Sequence, residues 1–328
     1  MIKNILITGG AGYIGSHVAE ILIKKKNKIF IVDNLSTGFK KLVNTKAKFY
    51  KADILNTKKI KKIIIKNKID SVIHLAASLI IGVGEKHPKL YYKNNVLGTK
   101  SILEACEKTS VKNFIFSSTA AVYKDKQKIV NEESKIMPKS VYGKTKIKAE
   151  KIIISKCKKL NVNYAILRYF NVCGASQSGK IGLIAKTDSL FKNISIALMK
   201  KKPIIKIYGT DYNTPDGTSV RDYIHVSDLA EIHYKILKKI FETSKSTIVN
   251  CGYHKGISVK EAVNEFTKQS KKKISILFQK RRLGDLAMVI ANNKKLKKTI
   301  NWTPKYFKLS EIVRSCIRWE KKQSTGNF

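Results

Sequence analysis

Residues 3–17 read KNILITGGAGYIGSH. An apolar run, Ile5–Leu6–Ile7, breaks at Thr8 into glycines. Gly9, Gly12 and Gly15 follow at G-x-x-G-x-x-G spacing, and a helical pattern runs from about Tyr13 to Lys26. Alone, three spaced glycines also suit an ordinary strand-to-helix turn. After a strand and at the head of a helix they suit a pyrophosphate: the turn is tight, backbone N–H groups approach closely, and the helix N-terminus favours the negative charge.

The next stretch supports this reading. KIFIVD (28–33) is a second strand, and Asp33 ends it, eighteen residues after Gly15. A carboxylate there accepts both hydroxyls of an adenosine ribose and repels a 2′-phosphate, so NAD is favoured over NADP. KFYKAD (48–53) is a third strand, whose last residue, Asp53, fits a contact to adenine.

Further along, apolar strands alternate with helical patterns. KKIKKIIIK (58–66) is helical and IDSVIHLAA (69–77) is a strand. A long helix follows through YYKNNVLGTKSILEACEK (91–108), then a strand in VKNFIFSS (111–118). A helix carries YGKTKIKAEKIIISKCKK (142–159), and NYAILRYFN (163–171) is a sixth strand. Alternation of this kind predicts an α/β fold, a Rossmann-type doubly wound parallel sheet covered on both faces. The rhythm breaks after Asn171, where residues 172–221 are rich in glycine and proline loops. A helix around 226–241 and a strand at 246–252 rejoin the sheet. The expected division is 1–171 plus about 222–252 for an NAD-binding domain. About 172–221 plus 253–328 then form a smaller C-terminal α/β substrate domain.

The formal net charge is +43, from sixty lysines and six arginines against 23 acidic residues. Lysine runs at 24–26, 40–41, 58–62, 200–202, 271–273 and 294–298 span the whole chain. A nucleic-acid surface would cluster them, use arginine and interleave aromatics. The pattern reads instead as a compositional bias, with no nucleic-acid partner. No apolar run approaches the roughly 18–20 residues of a membrane span, so no membrane partner is expected. The five cysteines, Cys106, Cys157, Cys173, Cys251 and Cys316, show neither C-x-x-C nor metal spacing. Reduced thiols, a cytoplasmic location and no metal follow as expectations.

SVYGKTKIKAE (140–150) places Tyr142 and Lys146 at i, i+4 on one helix face. An ammonium beside a phenol stabilises the phenolate, and a phenol so tuned serves as general base towards an alcohol. FSSTAAVY (116–123) brings a hydroxyl, Thr119, at the end of the preceding strand, suited to sharing the proton. Tyr-x-x-x-Lys is common in a lysine-rich helix. After a dinucleotide fold it reads as catalytic.

These stretches resemble the extended short-chain dehydrogenase/reductases, and more narrowly their NAD-dependent nucleotide-sugar epimerases. The resemblance spans nearly the whole chain. It also rests on VDNLSTG (32–38), LRYFNVCGA (167–175), YGTDYNTPDGTSVRDYIHVSDLA (208–230) and RRLGD (281–285). It implies 4-epimerisation of a UDP-sugar through a transient 4-keto sugar on tightly held NAD, and a homodimer formed through a helix bundle. Tyr142 would be the base, Lys146 would hold the nicotinamide ribose, and Thr119 would shuttle the proton. Tyr13, Ile14, Asn34, Ile54, Leu75, Asn94, Ser117 and Phe170 would line the cofactor. Asn171, Tyr208, Arg221 and Arg282 would bind the nucleotide diphosphate, with Asp285 at the uridine ribose. Scarce arginine within a motif suits its planar fork on a diphosphate.

The chain departs from the family pattern in places. Thr119 stands where serine is frequent, Leu79 where some members carry a lysine, Ser189 for a larger polar residue, and Lys124 for a glycine. Val289 stands where a tyrosine restricts the pocket in some members, so UDP-N-acetylhexosamines join UDP-glucose and UDP-galactose as expected substrates. Related dehydratases carry an Asp–Glu pair after the catalytic hydroxyl; here that pair is Ala120–Ala121. UDP-glucuronate 4-epimerisation, and a non-catalytic NAD- or nucleic-acid-binding role, are the competing readings.

Overall fold

The computed structural model describes residues 4–125, 127–185, 187–281 and 286–326. Seven parallel strands form the main sheet. From edge to edge they are Thr247–Cys251, Asn163–Tyr169, Asn113–Thr119, Ser71–His74, Asn4–Thr8, Lys28–Asp33 and Lys48–Lys51. The order reverses direction between Asn4–Thr8 and Ser71–His74. In a doubly wound sheet the ligand crevice opens at that switch, above the carboxyl ends of the strands.

Alternation along each strand feeds two cores. Ile5 and Ile7 point to the face packed by Leu22, Leu229, Ile232 and Ile236. Leu6 points to the opposite face, with Val32, Val72 and Phe114, under Ile60, Ile64, Ile102 and Ile153. The 57–66 helix buries Ile60, Ile63 and Ile64, and Asn56 caps it by accepting the Lys59 N–H at 3.0 Å. Such a cap contributes about 1 kcal/mol.

Two elements differ from expectation. The expected long helix at 91–108 is three consecutive windings: Pro88–Tyr91, a wider π-turn at Tyr92–Leu97, and Gly98–Cys106. A π-turn rotates successive residues by less than an α-turn does, so Asn94 and Asn95 both reach Ser78. The sixth strand ends at Tyr169 rather than at residue 171. Phe170 alone bridges to a new strand, Asn171–Cys173, in a second sheet.

That second sheet runs Gly256–Ser258, Val220–His225, Met288–Ala291, Ile129–Val130, with Asn171–Cys173 paired to the far half of Val220–His225. A third, two-stranded sheet joins Ile204–Tyr208 to Ser275–Gln279 in parallel. The C-terminal helix, Leu309–Ser324, packs on the helices Leu190–Leu198 and Val259–Ser270. The chain thus leaves the main sheet within one residue of its sixth strand.

Candidate active site

The glycine loop is shaped by close approach. Gly9 has φ +73°, and a Cβ there would lie 2.7 Å from the Ala76 backbone nitrogen. A Cβ at Gly15 would overlap the Gly9 carbonyl oxygen. The helix Tyr13–Lys24 starts at Gly12 with no side-chain cap. Its first-turn N–H groups are therefore available to an anion in the crevice.

Asp33, 8% exposed, stands beside this loop. One carboxylate oxygen accepts the Ala11 N–H at 3.1 Å and the other the Leu35 N–H at 2.8 Å. Burial raises its pKa, and those two hydrogen bonds oppose the rise. Each oxygen keeps a lone pair for a ribose hydroxyl. Gly38 admits that approach, since even a Cβ there would come within 3.0 Å of both oxygens. Asn34 donates to Asp53 at 3.1 Å, and Asp53 also accepts the Leu55 N–H. Ile14, Leu75 and Ile54 pack partly buried against the cores, and Ile54 presses on Gly98. A cradle closed to any Cβ, an open helix N-terminus and a ribose-facing carboxylate together fit a dinucleotide.

The Tyr13 side chain turns away from the cradle. Its hydroxyl donates to the Gly174 carbonyl at 2.6 Å, and its ring meets His17 edge-on. Only its backbone is left to face the loop. Asn94 donates to the Ser78 hydroxyl at 2.8 Å.

The helix Val141–Leu160 delivers Tyr142 and Lys146. Ser140 caps it by accepting the Gly143 N–H at 3.1 Å. Gly143 lets its first turn sit against the Ala121 carbonyl, a place where a Cβ would collide. Tyr142 is therefore held beside Thr119, whose side chain lies near enough to favour the ionised phenol and also accepts the Ala121 N–H. Lys146, 2% exposed, donates to the Ser117 carbonyl at 2.7 Å and lies 4.7 Å from the Phe116 ring centroid.

The expectation that Lys146 lowers the Tyr142 pKa does not hold in this arrangement. Burial pushes the phenol up to about 12, against the lowering by Thr119. Burial also lowers the Lys146 ammonium to about 7, while Glu150 pulls it upward. The ammonium is 5.9 Å from the Tyr142 ring centroid and is turned to Ser117. Desolvation is the first cause of both shifts.

Phe170 is buried with Val122, Tyr123, Val130 and Ala291, and Val289 packs partly buried on that cluster. Val289 pairs with Arg221 in the second sheet, and Asn171 pairs with Tyr223 two positions further along the same strand. The Arg221 guanidinium donates to its neighbour's carbonyl, Val220, at 2.9 Å. Tyr208 ends the strand Ile204–Tyr208 on the two-stranded sheet. Arg282 and Asp285 lie outside the described residues. Leu79 is 57% exposed, and Ser189 opens the helix Leu190–Leu198.

Reading the sequence missed Asn95. This side chain, 1% exposed, accepts the Ser78 N–H at 2.8 Å and donates to the Ser78 carbonyl and to Thr145 Oγ1. Thr145 in turn donates to the Tyr142 carbonyl. Asn95 thereby ties the loop after the fourth strand to the first turn of the tyrosine helix. The doubled asparagine in YYKNNV was its one signal.

The sequence pattern of the NAD dependent epimerase/dehydratase family matches residues 5–252. The chain is 38% identical over 325 residues to a UDP-glucose 4-epimerase of Lactobacillus helveticus, covering 98% of both chains. It superposes with TM-score 0.95 at 30% identity on a UDP-glucose-4-epimerase from Stenotrophomonas maltophila with bound NAD and formylated UDP-arabinopyranose, covering 99% of each. With TM-score 0.85 and 34% identity it also matches the UDP-Glc/GlcNAc 4-epimerase of Campylobacter jejuni, over 98% of this chain and 99% of that one.

Proposed function

The chain belongs to the NAD dependent epimerase/dehydratase family, and we propose that it inverts C4 of a UDP-sugar, interconverting UDP-galactose and UDP-glucose. It is an isomerase of the UDP-glucose 4-epimerase type that works with NAD. The observation that carries this reading is the meeting of Tyr142, Thr119 and Lys146 at the carboxyl end of the fifth strand, beside the glycine cradle.

Gly9, Gly12 and Gly15 would hold the pyrophosphate of NAD, Asp33 its adenosine ribose, and Lys146 its nicotinamide ribose. Bound NAD supplies reversible hydride acceptance at C4 and a positive charge near the phenol. Tyr142 takes the C4 hydroxyl proton and later returns it. Thr119 Oγ1, beside the phenol, relays that proton between Tyr142 and the sugar. Asn171, Tyr208 and Arg221 hold the nucleotide diphosphate, so the sugar can turn over while the UDP portion stays fixed. Val289, small and lodged among Val122, Tyr123 and Phe170, leaves room for an N-acetyl group. We extend the substrate class to UDP-N-acetylhexosamines on that ground.

The division into an NAD-binding part, 1–171 plus about 222–252, and a sugar-nucleotide part is supported by the strand that residues 247–251 add to the main sheet. A homodimer is supported by apolar side chains left exposed on two neighbouring helical segments, Leu90, Tyr92 and Leu97 on one and Ile154 on the other. A cytoplasmic setting is supported by the five buried, unpaired cysteines.

The test is incubation of the purified protein with UDP-galactose, UDP-N-acetylglucosamine and UDP-glucuronate in turn, with products resolved chromatographically. Conversion of the first two to their C4 epimers is expected. Turnover of UDP-glucuronate alone would replace the proposed substrate, and turnover of none would reject the reaction.

A further inference from the structure

On the tyrosine helix, residues 142, 146 and 150 share one face, and each meets one of three consecutive residues of the fifth strand. Tyr142 faces Thr119, Lys146 bonds the Ser117 carbonyl, and Glu150 accepts a short hydrogen bond from the Ser118 hydroxyl. Glu150 is 1% exposed and paired with Arg168, 4% exposed, on the adjacent strand. The pair is two-pronged: Arg168 Nε donates to Oε1 at 3.1 Å and Nη2 to Oε2 at 2.7 Å. Arg168 lies in register with Ser118 itself. Its Nη1 donates to the Tyr123 hydroxyl at 3.1 Å and to the Glu132 carbonyl. Tyr123 donates to Asn250 Oδ1 at 2.6 Å, and the Asn250 N–H donates to Glu132 Oε1.

We propose that Glu150 and Arg168 are positioning residues for the epimerisation: their buried pair fastens the tyrosine helix in register on the fifth strand and keeps a negative charge one helical turn from Lys146. The inference rests on the reaction proposed above. A pair serving stability alone would be a poor choice, because two buried charges with their partners often contribute no more than apolar residues of similar volume. Register is a different matter, since a fork of two hydrogen bonds fixes one axial position of the helix. A slip there moves Tyr142 off Thr119 and Lys146 off Ser117 together.

Lys146 has few other charged neighbours. On its own helix it faces Tyr142 and Glu150. From the fourth strand it faces His74, whose ring is held neutral between Thr8 and Thr99. From the sixth strand, Arg168 reaches it only through Glu150. Glu150 is thus the anion that favours the charged lysine, and without it the ammonium is lost at lower pH.

The test compares the parent with the double variant Glu150→Leu/Arg168→Met, which removes both charges while keeping volume, and with Ser118→Ala, which removes one hydroxyl. Three readouts are taken: melting temperature, turnover of UDP-galactose across pH, and affinity for NAD. The double variant is expected to melt close to the parent yet turn over roughly ten- to a hundredfold more slowly. The pH at which turnover falls on the alkaline side is expected to move down. NAD affinity is expected to drop as Lys146 loses its seat, a readout that holds whichever sugar is the substrate. Ser118→Ala is expected to slow turnover in the same direction with an unchanged melting temperature. Turnover and NAD affinity within twofold of the parent in Ser118→Ala, or in a folded double variant with an unmoved pH profile, would overturn the positioning role. A parent that binds NAD but leaves UDP-galactose unchanged would count against the reaction instead.

Discussion

At the scale of single residues, the chemistry turns on where one proton resides. The structure holds the Tyr142 phenol un-ionised, with its pKa up to about 12, and the Lys146 amine near neutrality, at about 7. Both shifts have the same first cause, removal from water. Such a phenol yields little phenolate until positive charge enters the crevice, which couples proton removal to a filled cofactor site. Tyr142→Phe keeps the ring and its packing and deletes only the hydroxyl that faces Thr119. Turnover is expected to fall by at least about a hundredfold, with NAD retention and melting temperature near those of the parent. Steady-state rates and the NAD content of the purified variant check this, and a loss below tenfold would remove Tyr142 from the proton path. The sequence made Tyr142 and Lys146 visible through their spacing, read after a dinucleotide-binding pattern. It did not show the phenol's raised pKa, because burial and the nearby Tyr91 phenol arise only when distant segments pack together.

At the scale of elements, what was legible was what repeats locally. Short apolar runs between helical patterns placed all seven parallel strands, and G-x-x-G-x-x-G placed the cradle, because each signal is contained within a few residues. Strand ends were misjudged where the signal is not local. NYAILRYFN reads as one strand, yet Phe170 separates two, since Asn171–Cys173 finds its partner in Val220–His225, some fifty residues later. The π-turn at Tyr92–Leu97 left no periodic trace either. Its trace is the pair of asparagines that both reach Ser78, just beyond a strand that reads to residue 77 and ends at His74. Arg168 shows the same limit. Its scarcity was the same clue that singled out Arg221 and Arg282, but it lies in an apolar strand, and its partner Glu150 is seen only when helix and strand are packed together.

At the scale of the whole molecule, four of the six histidines are buried and neutral. Burial lowers His17 and His233 to about 4, and His74 and His225 to about 3, from the ordinary 6.5. The unfolded chain takes up these protons near pH 6.5 and the folded chain does not, so stability is full above that pH and is lost as pH falls. Each histidine contributes up to about 1.4 kcal/mol per pH unit below its unfolded value. Asp222, raised by burial to about 6, works in the opposite direction by protonating earlier in the folded state, and Asp33 and Asp228 shift the same way. The histidines prevail near pH 6, where four rings favour the neutral folded state and Asp222 is only about half protonated. The melting temperature is expected to fall steadily between pH 6.5 and pH 5, and a scan at constant ionic strength checks it. A flat or rising profile would contradict the buried neutral rings. The net charge of +43 adds repulsion that salt screens, which is why ionic strength is held fixed.

The most direct measurement follows a label at the inverted carbon. UDP-galactose carrying deuterium at C4 is given to the purified protein with no NAD added, and the C4 position of the product is read by mass spectrometry and NMR. UDP-glucose with the deuterium still on C4 is expected, because in the proposed reaction hydride leaves C4 and returns to it from the same bound cofactor. UDP-glucose with ordinary hydrogen at C4, or no UDP-glucose from NAD-bearing protein, would contradict epimerisation through a 4-keto sugar at Tyr142.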